Sequence, residues 1–105
     1  IKHHTTLFTR RAVVLGTGSE SIRIGDLLLN TPESHFILVG YIDNYNKSKK
    51  NNLLGRISNI DDIIKKYNIN EIIVPEQYIK VQNLIHILDQ ISNKNVNCKM
   101  KLIPN

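Results

Sequence analysis

The stretch VVLGTGSES, residues 13–21, joins an apolar run to a helical pattern through two glycines. Gly16 and Gly18 match the first two glycines of the phosphate-binding pattern G-x-G-x-x-G, and Ser21 stands in place of the third. The first glycine permits a tight turn, the second lets a phosphate approach the backbone, and the third lets the helix pack closely on the sheet. Because the turn follows a predicted strand and opens a predicted helix, the pattern favours a nucleotide-type ligand over a purely structural turn.

Two small residues, Ser21 and Gly25, could together allow the close helix–sheet packing that a third glycine would allow. Ser21 is small, and its hydroxyl can bond either to a nearby backbone group or to a phosphate. Gly25 lies one turn further along the predicted helix, where glycine costs about 1 kcal/mol relative to alanine. We therefore expect Gly25 to allow close contact between this helix and the sheet.

Beyond this turn, the apolar residues alternate between strand and helix patterns. Helices are predicted from Ser19 to about Asn30, from a cap at Ser58 or Asn59, and over residues 81–91. Short apolar runs predict strands over residues 11–16, 35–43, 52–55, 71–75 and 96–104. This alternation indicates an α/β fold. We predict a Rossmann-like three-layer domain with a parallel sheet of about five strands in the order 3-2-1-4-5.

The length of 105 residues suits one domain, which we place at residues 10–105 after a linker or arm over residues 1–9. No run approaches the roughly 20 apolar residues that span a bilayer. Cys98 is the only cysteine, which excludes an internal disulfide and a cysteine-based metal site, and we expect it in the core. Because the chain begins without methionine, we expect a fragment of a longer protein.

The formal charge of +5 arises from 14 basic and 9 acidic residues, with much of the excess at Arg10–Arg11 and at residues 47–50. No nucleic-acid-binding module or set of stacking aromatics accompanies these basic residues, so nucleic acid is not expected as a partner. A membrane-proximal position suits a mild positive charge better, because anionic leaflets attract basic segments.

The carboxyl end of the second predicted strand supplies another part of the predicted site. Asp43 closes this strand and can accept hydrogen bonds from a ribose diol. The alternative, that Asp43 caps the following loop, weighs equally. Lys47, Lys49 and Lys50 lie in that loop; they could meet a phosphate, but such lysines are more often solvated.

Three residues that end the fourth predicted strand, Pro75, Glu76 and Gln77, should line the crevice at the switch point of the sheet. Glu76 is expected to cap the next helix rather than to act in catalysis. No nucleophile stands beside an identifiable base, as covalent catalysis requires, so the domain is predicted to be non-catalytic.

The fifth predicted strand alternates apolar and polar residues over 96–102. A strand covered on both faces would be apolar throughout. We therefore expect one face of this strand to be bare and to meet solvent, a missing helix or another chain.

Four segments of the chain carry a family resemblance: RRAVVLGTGSES, FILVGYIDN, LLGRISNIDDIIKKYNINEIIV and VNCKMKLIPN. Their most specific pieces are Gly-Tyr-Ile-Asp at 40–43, Leu-Gly at 54–55 followed by the helix start at Ile60–Asp62, and the closing Leu-Ile-Pro. Together they resemble the CoA-binding-like, Rossmann-type domain of bacterial polyprenyl glycosylphosphotransferases, the membrane sugar transferases of exopolysaccharide and capsule assembly. A similar domain precedes the catalytic part of membrane-bound nucleotide-sugar dehydratases.

The resemblance implies a domain at the cytoplasmic face of the inner membrane, with transmembrane and catalytic segments elsewhere in the parent chain. Three residues depart from the family pattern: Ser21 at the third glycine, Asn44 at a second aspartate, and Glu76 at a small or apolar position. The turn and strand ends together give a predicted cofactor-binding set of Gly16, Thr17, Gly18, Ser19, Ser21, Asp43, Asn44, Pro75 and Glu76.

The leading functional prediction is a non-catalytic module of a sugar transferase that binds or senses a nucleotide or nucleotide-sugar. One alternative is the NAD-type cofactor domain of a nucleotide-sugar dehydrogenase, dehydratase or acetyltransferase. The other is an assembly module with a degenerate pocket, which pairs as a homodimer through its fifth strand. NAD(P), CoA and a UDP-sugar all stay open as the ligand.

Overall fold

The computed structural model describes residues 9–46, 52–79, 86, 88–89, 91 and 98–104. The strands in this part of the chain are β1 (Arg10–Leu15), β2 (Phe36–Ile42), β3 (Leu53–Gly55), β4 (Glu71–Pro75) and β5 (Lys99–Ile103). They form one sheet in the order β3-β2-β1-β4-β5, and every neighbouring pair is parallel. The predicted α/β class, the parallel sheet and the strand order are confirmed.

Helices connect these strands. Helix α1 (Ser19–Leu29) joins β1 to β2, α2 (Ile60–Tyr67) precedes β4, and α3 begins with Glu76–Ile79 directly after β4. The structure also describes helical residues at positions 86, 88, 89 and 91, and the remainder of the helix predicted over 81–91 lies outside the described residues.

The start of α2 differs in detail from the prediction. Asn59 takes the predicted cap position, but no side-chain hydrogen bond caps the helix within the described part of the chain. A 3-10 turn, Ile57–Asn59, leads the backbone into α2 instead.

The central strand is buried from both sides. Residues 12–15 of β1 are fully buried because helices cover both faces of the sheet. On one face, Val13 and Leu15 pack in a cluster with Ile63 of α2 and with Leu88. On the other face, Ala12 and Val14 pack with Ile24 of α1 and Tyr41 of β2. This arrangement fixes the direction of β1 and so the position of the turn that follows it.

The close contact predicted for Gly25 is confirmed. A Cβ atom at Gly25 would overlap the Tyr41 hydroxyl and would lie 2.8 Å from Tyr41 Cζ. Tyr41 is buried, and burial together with the nearby carboxylate of Asp26 raises the pKa of its phenol. The absence of a side chain at Gly25 therefore allows α1 to lie directly on the sheet.

The basic pair at the start of β1 has partners within the domain. Arg10 Nη1 lies 3.2 Å from Oε1 of Glu71, the first residue of β4. Arg11 Nε donates to the Tyr67 carbonyl over 2.8 Å at the end of α2. Both arginines therefore have partners at the amino edge of the sheet.

Strand β5 forms one edge of the described sheet. Lys99 and Lys101 are exposed, as predicted for its polar face. Cys98, just before the strand, is buried as expected, and burial raises the pKa of its thiol to about 11. Met100 and Leu102 on the other face are 37% and 53% exposed, so both faces of the strand meet solvent at these residues.

No helix within the described ranges has the length and apolar character needed to cross a membrane. Residues 1–8 of the predicted arm lie outside the described residues. The boundary between arm and domain stays a prediction, as does membership of a longer membrane protein.

We expect Gly25→Ala to destabilise the domain by about 1–3 kcal/mol, because overpacking against Tyr41 outweighs the gain in helix propensity. A thermal melt followed by circular dichroism should show a decrease of about 4–8 °C per kcal/mol for a domain of about this size. Gly18→Ala is the matched control, because a Cβ at Gly18 meets no described atom within 4 Å. A Gly25→Ala protein that melts with the wild type would contradict the packing argument.

Candidate functional site

A cleft of about 370 Å³ lies at the carboxyl edge of the sheet, where β1, β2 and β4 end. The first helical turns of α1 and α3 and the loop after β2 form its walls. Its lining residues are Gly16, Gly18, Ser19, Glu20, Ser21, Asp43, Asn44, Tyr45, Pro75, Gln77 and Tyr78. The cleft therefore lies at the switch point of the strand order, between β1 and β4, where ligands bind in open α/β sheets.

Gly16 makes the turn from β1 into the cleft. Its φ of 92° lies in the region that favours glycine, and its N–H donates to the Ile42 carbonyl over 2.8 Å. A Cβ at this position would also lie 2.6 Å from Ser21 Oγ. Both backbone conformation and space therefore require glycine here.

Gly18 differs from Gly16 both in its backbone conformation and in the space around it. Its φ of −76° and ψ of −179° are open to any residue. A Cβ there would meet no described atom within 4 Å, although Gly18 lines the cleft. Neither backbone conformation nor packing in the described part of the chain requires a glycine at this position.

The first turn of α1 has backbone donors beside the cleft that find no acceptor within the described ranges. The earliest helical bond runs from Ile22 N–H to the Gly18 carbonyl over 3.0 Å. The N–H groups of residues 19–21 have no acceptor among the described residues, and no side chain caps the helix there. The helix dipole adds a partial positive charge at this end, so the turn suits an anion.

Glu20 is the acidic residue of this helical turn. Its Oε2 accepts from Arg23 Nη2 over 2.6 Å, and this hydrogen bond lowers the pKa of the Glu20 carboxyl. Because the ion pair is exposed, its charges are screened by solvent. The negative charge of Glu20 is thus paired with the positive charge of Arg23.

Ser21 carries out the packing role of the third glycine. Its hydroxyl donates to the Leu15 carbonyl over 2.7 Å, and its side chain is buried against Gly16. A hydroxyl has one proton to donate, and this bond uses it. The sequence allowed the Ser21 hydroxyl to bond either to a nearby backbone group or to a phosphate, and in the structure it bonds to the backbone.

Asp43 is 3% exposed and accepts hydrogen bonds from three directions. Its Oδ2 accepts from the Thr17 N–H over 2.8 Å and from the Thr17 hydroxyl over 2.9 Å. Its Oδ1 accepts from the Asn44 N–H over 2.7 Å, from the Tyr45 N–H over 3.5 Å and from the Tyr78 hydroxyl over 2.9 Å. Burial alone would raise the pKa of Asp43, but these hydrogen bonds outweigh it and hold the pKa below its usual range.

Asp43 therefore caps the loop after β2, which was one of its two predicted roles. It also ties that loop to the glycine turn through Thr17 and to α3 through Tyr78. Its role toward a ribose diol stays a prediction.

Thr17 is buried and lies beneath the cleft surface rather than on it. Its hydroxyl is 2.9 Å from both Asp43 Oδ2 and the Tyr45 carbonyl. Since one proton serves two acceptors, the hydroxyl bridges the carboxylate and the loop. Thr17 thus positions Asp43 and does not face the space that a ligand would occupy.

Tyr78 reaches into the cleft from the first turn of α3. Its hydroxyl donates to Asp43, and its ring lies over the glycine turn, with Cδ1 only 3.0 Å from where a Gly16 Cβ would stand. Burial and the adjacent Asp43 carboxylate raise the pKa of the Tyr78 phenol well above its ordinary value, so the phenol stays protonated at neutral pH.

The structure brings most of the predicted site residues together. Seven of the nine line the cleft: Gly16, Gly18, Ser19, Ser21, Asp43, Asn44 and Pro75. Thr17 lies beneath the surface, and Glu76 opens α3 without lining the cleft. Lys47, Lys49 and Lys50 lie outside the described residues.

The predicted site did not include three residues that line the cleft: Glu20, Tyr45 and Tyr78. Tyr45 is 74% exposed and follows Asp43 by two positions, so an aromatic residue in the loop after β2 was an available signal. Tyr78 gave no such signal, because its contact with Asp43 spans 35 residues of sequence. No group of three His, Cys, Asp or Glu residues in the described ranges could hold a metal ion.

No family model and no curated protein matches the chain. Among solved structures, it is similar to RSP, a Rex-family repressor, with a TM-score of 0.64 and 14% identity over 98% of this chain and 58% of that chain. It is also similar to RSP in complex with beta-NADH, with a TM-score of 0.66 and 14% identity over 97% of this chain and 59% of that one.

At this identity, the likeness shows a shared Rossmann-like fold. This chain spans less than two thirds of the length of the RSP chains. The resemblance to glycosylphosphotransferases gains no support from these comparisons and stays a prediction.

We expect Asp43→Asn to destabilise the domain by about 1–3 kcal/mol at pH 7, because one of the buried donors loses its acceptor. The Asp43 pKa is lowered by folding. Its contribution is therefore complete above the unfolded value of about 3.9 and is lost as pH falls further toward the folded value. Urea unfolding at pH 7, 5, 4 and 3 should show the two proteins converging below about pH 4.

Asp89→Asn is the matched control, since it removes one carboxylate from an exposed position. It should leave the free energy of unfolding within about 0.5 kcal/mol of the wild type at pH 7. A gap between wild type and Asp43→Asn that stays constant from pH 7 to pH 3 would exclude ionised Asp43 as the stabilising form.

Proposed function

We propose that this chain is a nucleotide-binding domain that holds phosphate groups against the turn of Gly16–Ser19. The observation that carries the proposal is Gly18. It lines the cleft, its backbone conformation is open to every residue, and a side chain there would meet no described atom. A glycine without a structural requirement, at a helix start that faces a cleft, is explained by the close approach of a ligand.

Electrostatics support a phosphate at this place. The N–H groups of residues 19–21, which have no acceptor in the described part of the chain, and the dipole of the eleven-residue helix α1 both favour an anion. Phosphate oxygens can accept from these amides directly, because Gly18 keeps the approach open. The exposed Glu20–Arg23 pair leaves little net charge at the rim to oppose a phosphate.

The rest of the cleft suits a nucleoside. Asp43 lies beyond the glycine turn at the end of β2, where an acidic residue of this fold accepts from ribose hydroxyls. Tyr45 presents an exposed ring at the same edge, and aromatic rings stack on nucleobases. Phosphate, ribose and base can therefore follow one another along the wall formed by α1 and the loop after β2.

The chemistry of these residues is that of binding. A phosphate that binds backbone amides is held without being activated, and the Asp43 carboxylate is engaged by its own donors. We therefore propose a binding or sensing domain. NADH is the first ligand to test, because a structural neighbour was crystallised with beta-NADH; CoA and a UDP-sugar follow.

The wider placement in a membrane sugar transferase rests on the sequence resemblance alone. In that setting, the domain would sense a nucleotide or nucleotide-sugar for the catalytic segment of the parent chain. The cofactor domain of a nucleotide-sugar enzyme and an assembly module with a degenerate pocket are the competing predictions. The binding experiment below separates the assembly module from the other two.

We expect NADH, CoA or UDP-glucose to stabilise the 105-residue chain, with a shift of about 2.7 kcal/mol when the ligand is present at about 100 times its Kd. In the Gly18→Val protein, the new side chain stands in the cleft, and we expect this ligand-dependent shift to vanish. Thermal unfolding with and without each ligand measures both effects.

Leu29→Val is the matched control, because it places valine at an exposed position of α1 away from the cleft lining. It should melt close to the wild type and keep the ligand shift. If none of the three ligands moves the wild-type midpoint, the degenerate-pocket prediction replaces this proposal. Equal ligand shifts in wild type and Gly18→Val would show that binding occurs away from the glycine turn.

A further inference from the structure

The acceptor capacity of Asp43 is already filled by the protein. A carboxylate offers about four lone-pair positions. Two are taken by the N–H and hydroxyl of Thr17, and the others receive the Asn44 N–H, the Tyr78 hydroxyl and a long contact from the Tyr45 N–H. A ligand hydroxyl can therefore reach Asp43 only by replacing one of these donors.

Only one of these donors is easily replaced. The Asn44 and Tyr45 amides belong to the loop that Asp43 itself begins, and Thr17 belongs to the glycine turn. Tyr78 reaches Asp43 from helix α3 through a long side chain that can change rotamer without moving the backbone. Its hydroxyl is thus the donor that a ligand would displace.

The ring of Tyr78 also occupies space that a ligand needs. Its Cδ1 and Cε1 atoms lie 3.0 and 3.2 Å from the position of a Gly16 Cβ, so the ring covers the glycine turn. The hydroxyl reaches Asp43 at 2.9 Å, and Asp43 in turn accepts from Thr17 of the glycine turn. The side chain therefore covers the glycine turn and the carboxylate beside it.

We propose that Tyr78 is a built-in competitor of the nucleotide: its hydroxyl holds the position on Asp43 Oδ1 that a ribose hydroxyl takes, and binding requires the ring to turn away. This inference rests on the proposed function and names the residue that sets its selectivity. The affinity is lowered by the fraction of molecules in which Tyr78 occupies the site.

The competition selects among ligands. A ribose with free 2′- and 3′-hydroxyls replaces the hydrogen bond that Tyr78 gives up, whereas a ribose that lacks one of them does so incompletely. A buried carboxylate left short of a donor is costly. The favoured ligands are therefore nucleoside diphosphates with a free vicinal diol, such as NAD and UDP-sugars, over CoA and NADP, in which a phosphate occupies one of these hydroxyls.

The test compares two pairs of ligands, ADP with 2′-deoxy-ADP and UDP with 2′-deoxy-UDP, by isothermal titration calorimetry. Tyr78→Phe removes the hydroxyl and keeps the ring, so a diol no longer has to break a hydrogen bond to a charged group. We expect the Kd of ADP and of UDP to decrease about tenfold in Tyr78→Phe relative to the wild type, because no hydroxyl then competes for Asp43 in the free site. In both proteins the 2′-deoxy ligand should bind more weakly than its ribo counterpart, because it supplies one hydroxyl fewer to Asp43. Tyr67→Phe, the matched control, removes a tyrosine hydroxyl outside the cleft lining and should leave these Kd values at their wild-type level.

Each result is decisive. Tighter binding to Tyr78→Phe, with unchanged binding to Tyr67→Phe, supports competition for Asp43. Weaker binding to Tyr78→Phe would overturn it and make Tyr78 a support of the binding site, while the proposed function would stand. Unchanged Kd values in Tyr78→Phe would also overturn it, and so would a 2′-deoxy ligand that binds the wild type as tightly as its ribo counterpart. Loss of all binding in folded wild type and folded Tyr78→Phe would remove the proposed function and this inference together.

Discussion

The carboxylate of Asp43 is the constraint on which the geometry of the cleft depends. It joins the turn after β1, the loop after β2 and the first turn of α3, through bonds to residues 26 and 35 positions away. A buried charge is unfavourable unless it is hydrogen-bonded, and every donor that satisfies this one belongs to or lies beneath the cleft wall. The bonds that keep Asp43 ionised are therefore the bonds that fix the wall.

Three glycines of the first turn and helix α1 differ in what requires them. Gly16 needs its positive φ, and Gly25 needs space for the Tyr41 hydroxyl. Gly18 needs neither within the described part of the chain. Ser21 can be buried at the position of the third glycine because its hydroxyl donates to the Leu15 carbonyl. Its polar group is therefore satisfied within the protein.

The sequence predicted the features that depend on local pattern. Apolar runs and helical periodicity placed the strands and their order, and the glycine spacing placed the turn at the carboxyl end of β1. What the sequence could not predict depends on side-chain conformation across the sheet. The bond from Tyr78 to Asp43 and the burial of Thr17 beneath the cleft follow from three strand ends meeting, which no single segment encodes. For the same reason, the sequence could not predict the ion pair between Arg10 and Glu71, which are 61 residues apart in the chain.

The distribution of the Asp43 bonds along the chain also sets when the cleft forms during folding. Thr17, Asp43 and Tyr78 meet only after β1 has paired with β2 and with β4, and both pairings are parallel and need crossover connections. Such nonlocal pairings close later than helices, which need only local contacts. A chain with α1 formed and β4 still unpaired has the glycine turn but lacks the bridge from carboxylate to tyrosine. A nucleotide that binds the completed cleft therefore stabilises the fully paired sheet and slows its unfolding, rather than guiding the chain toward it.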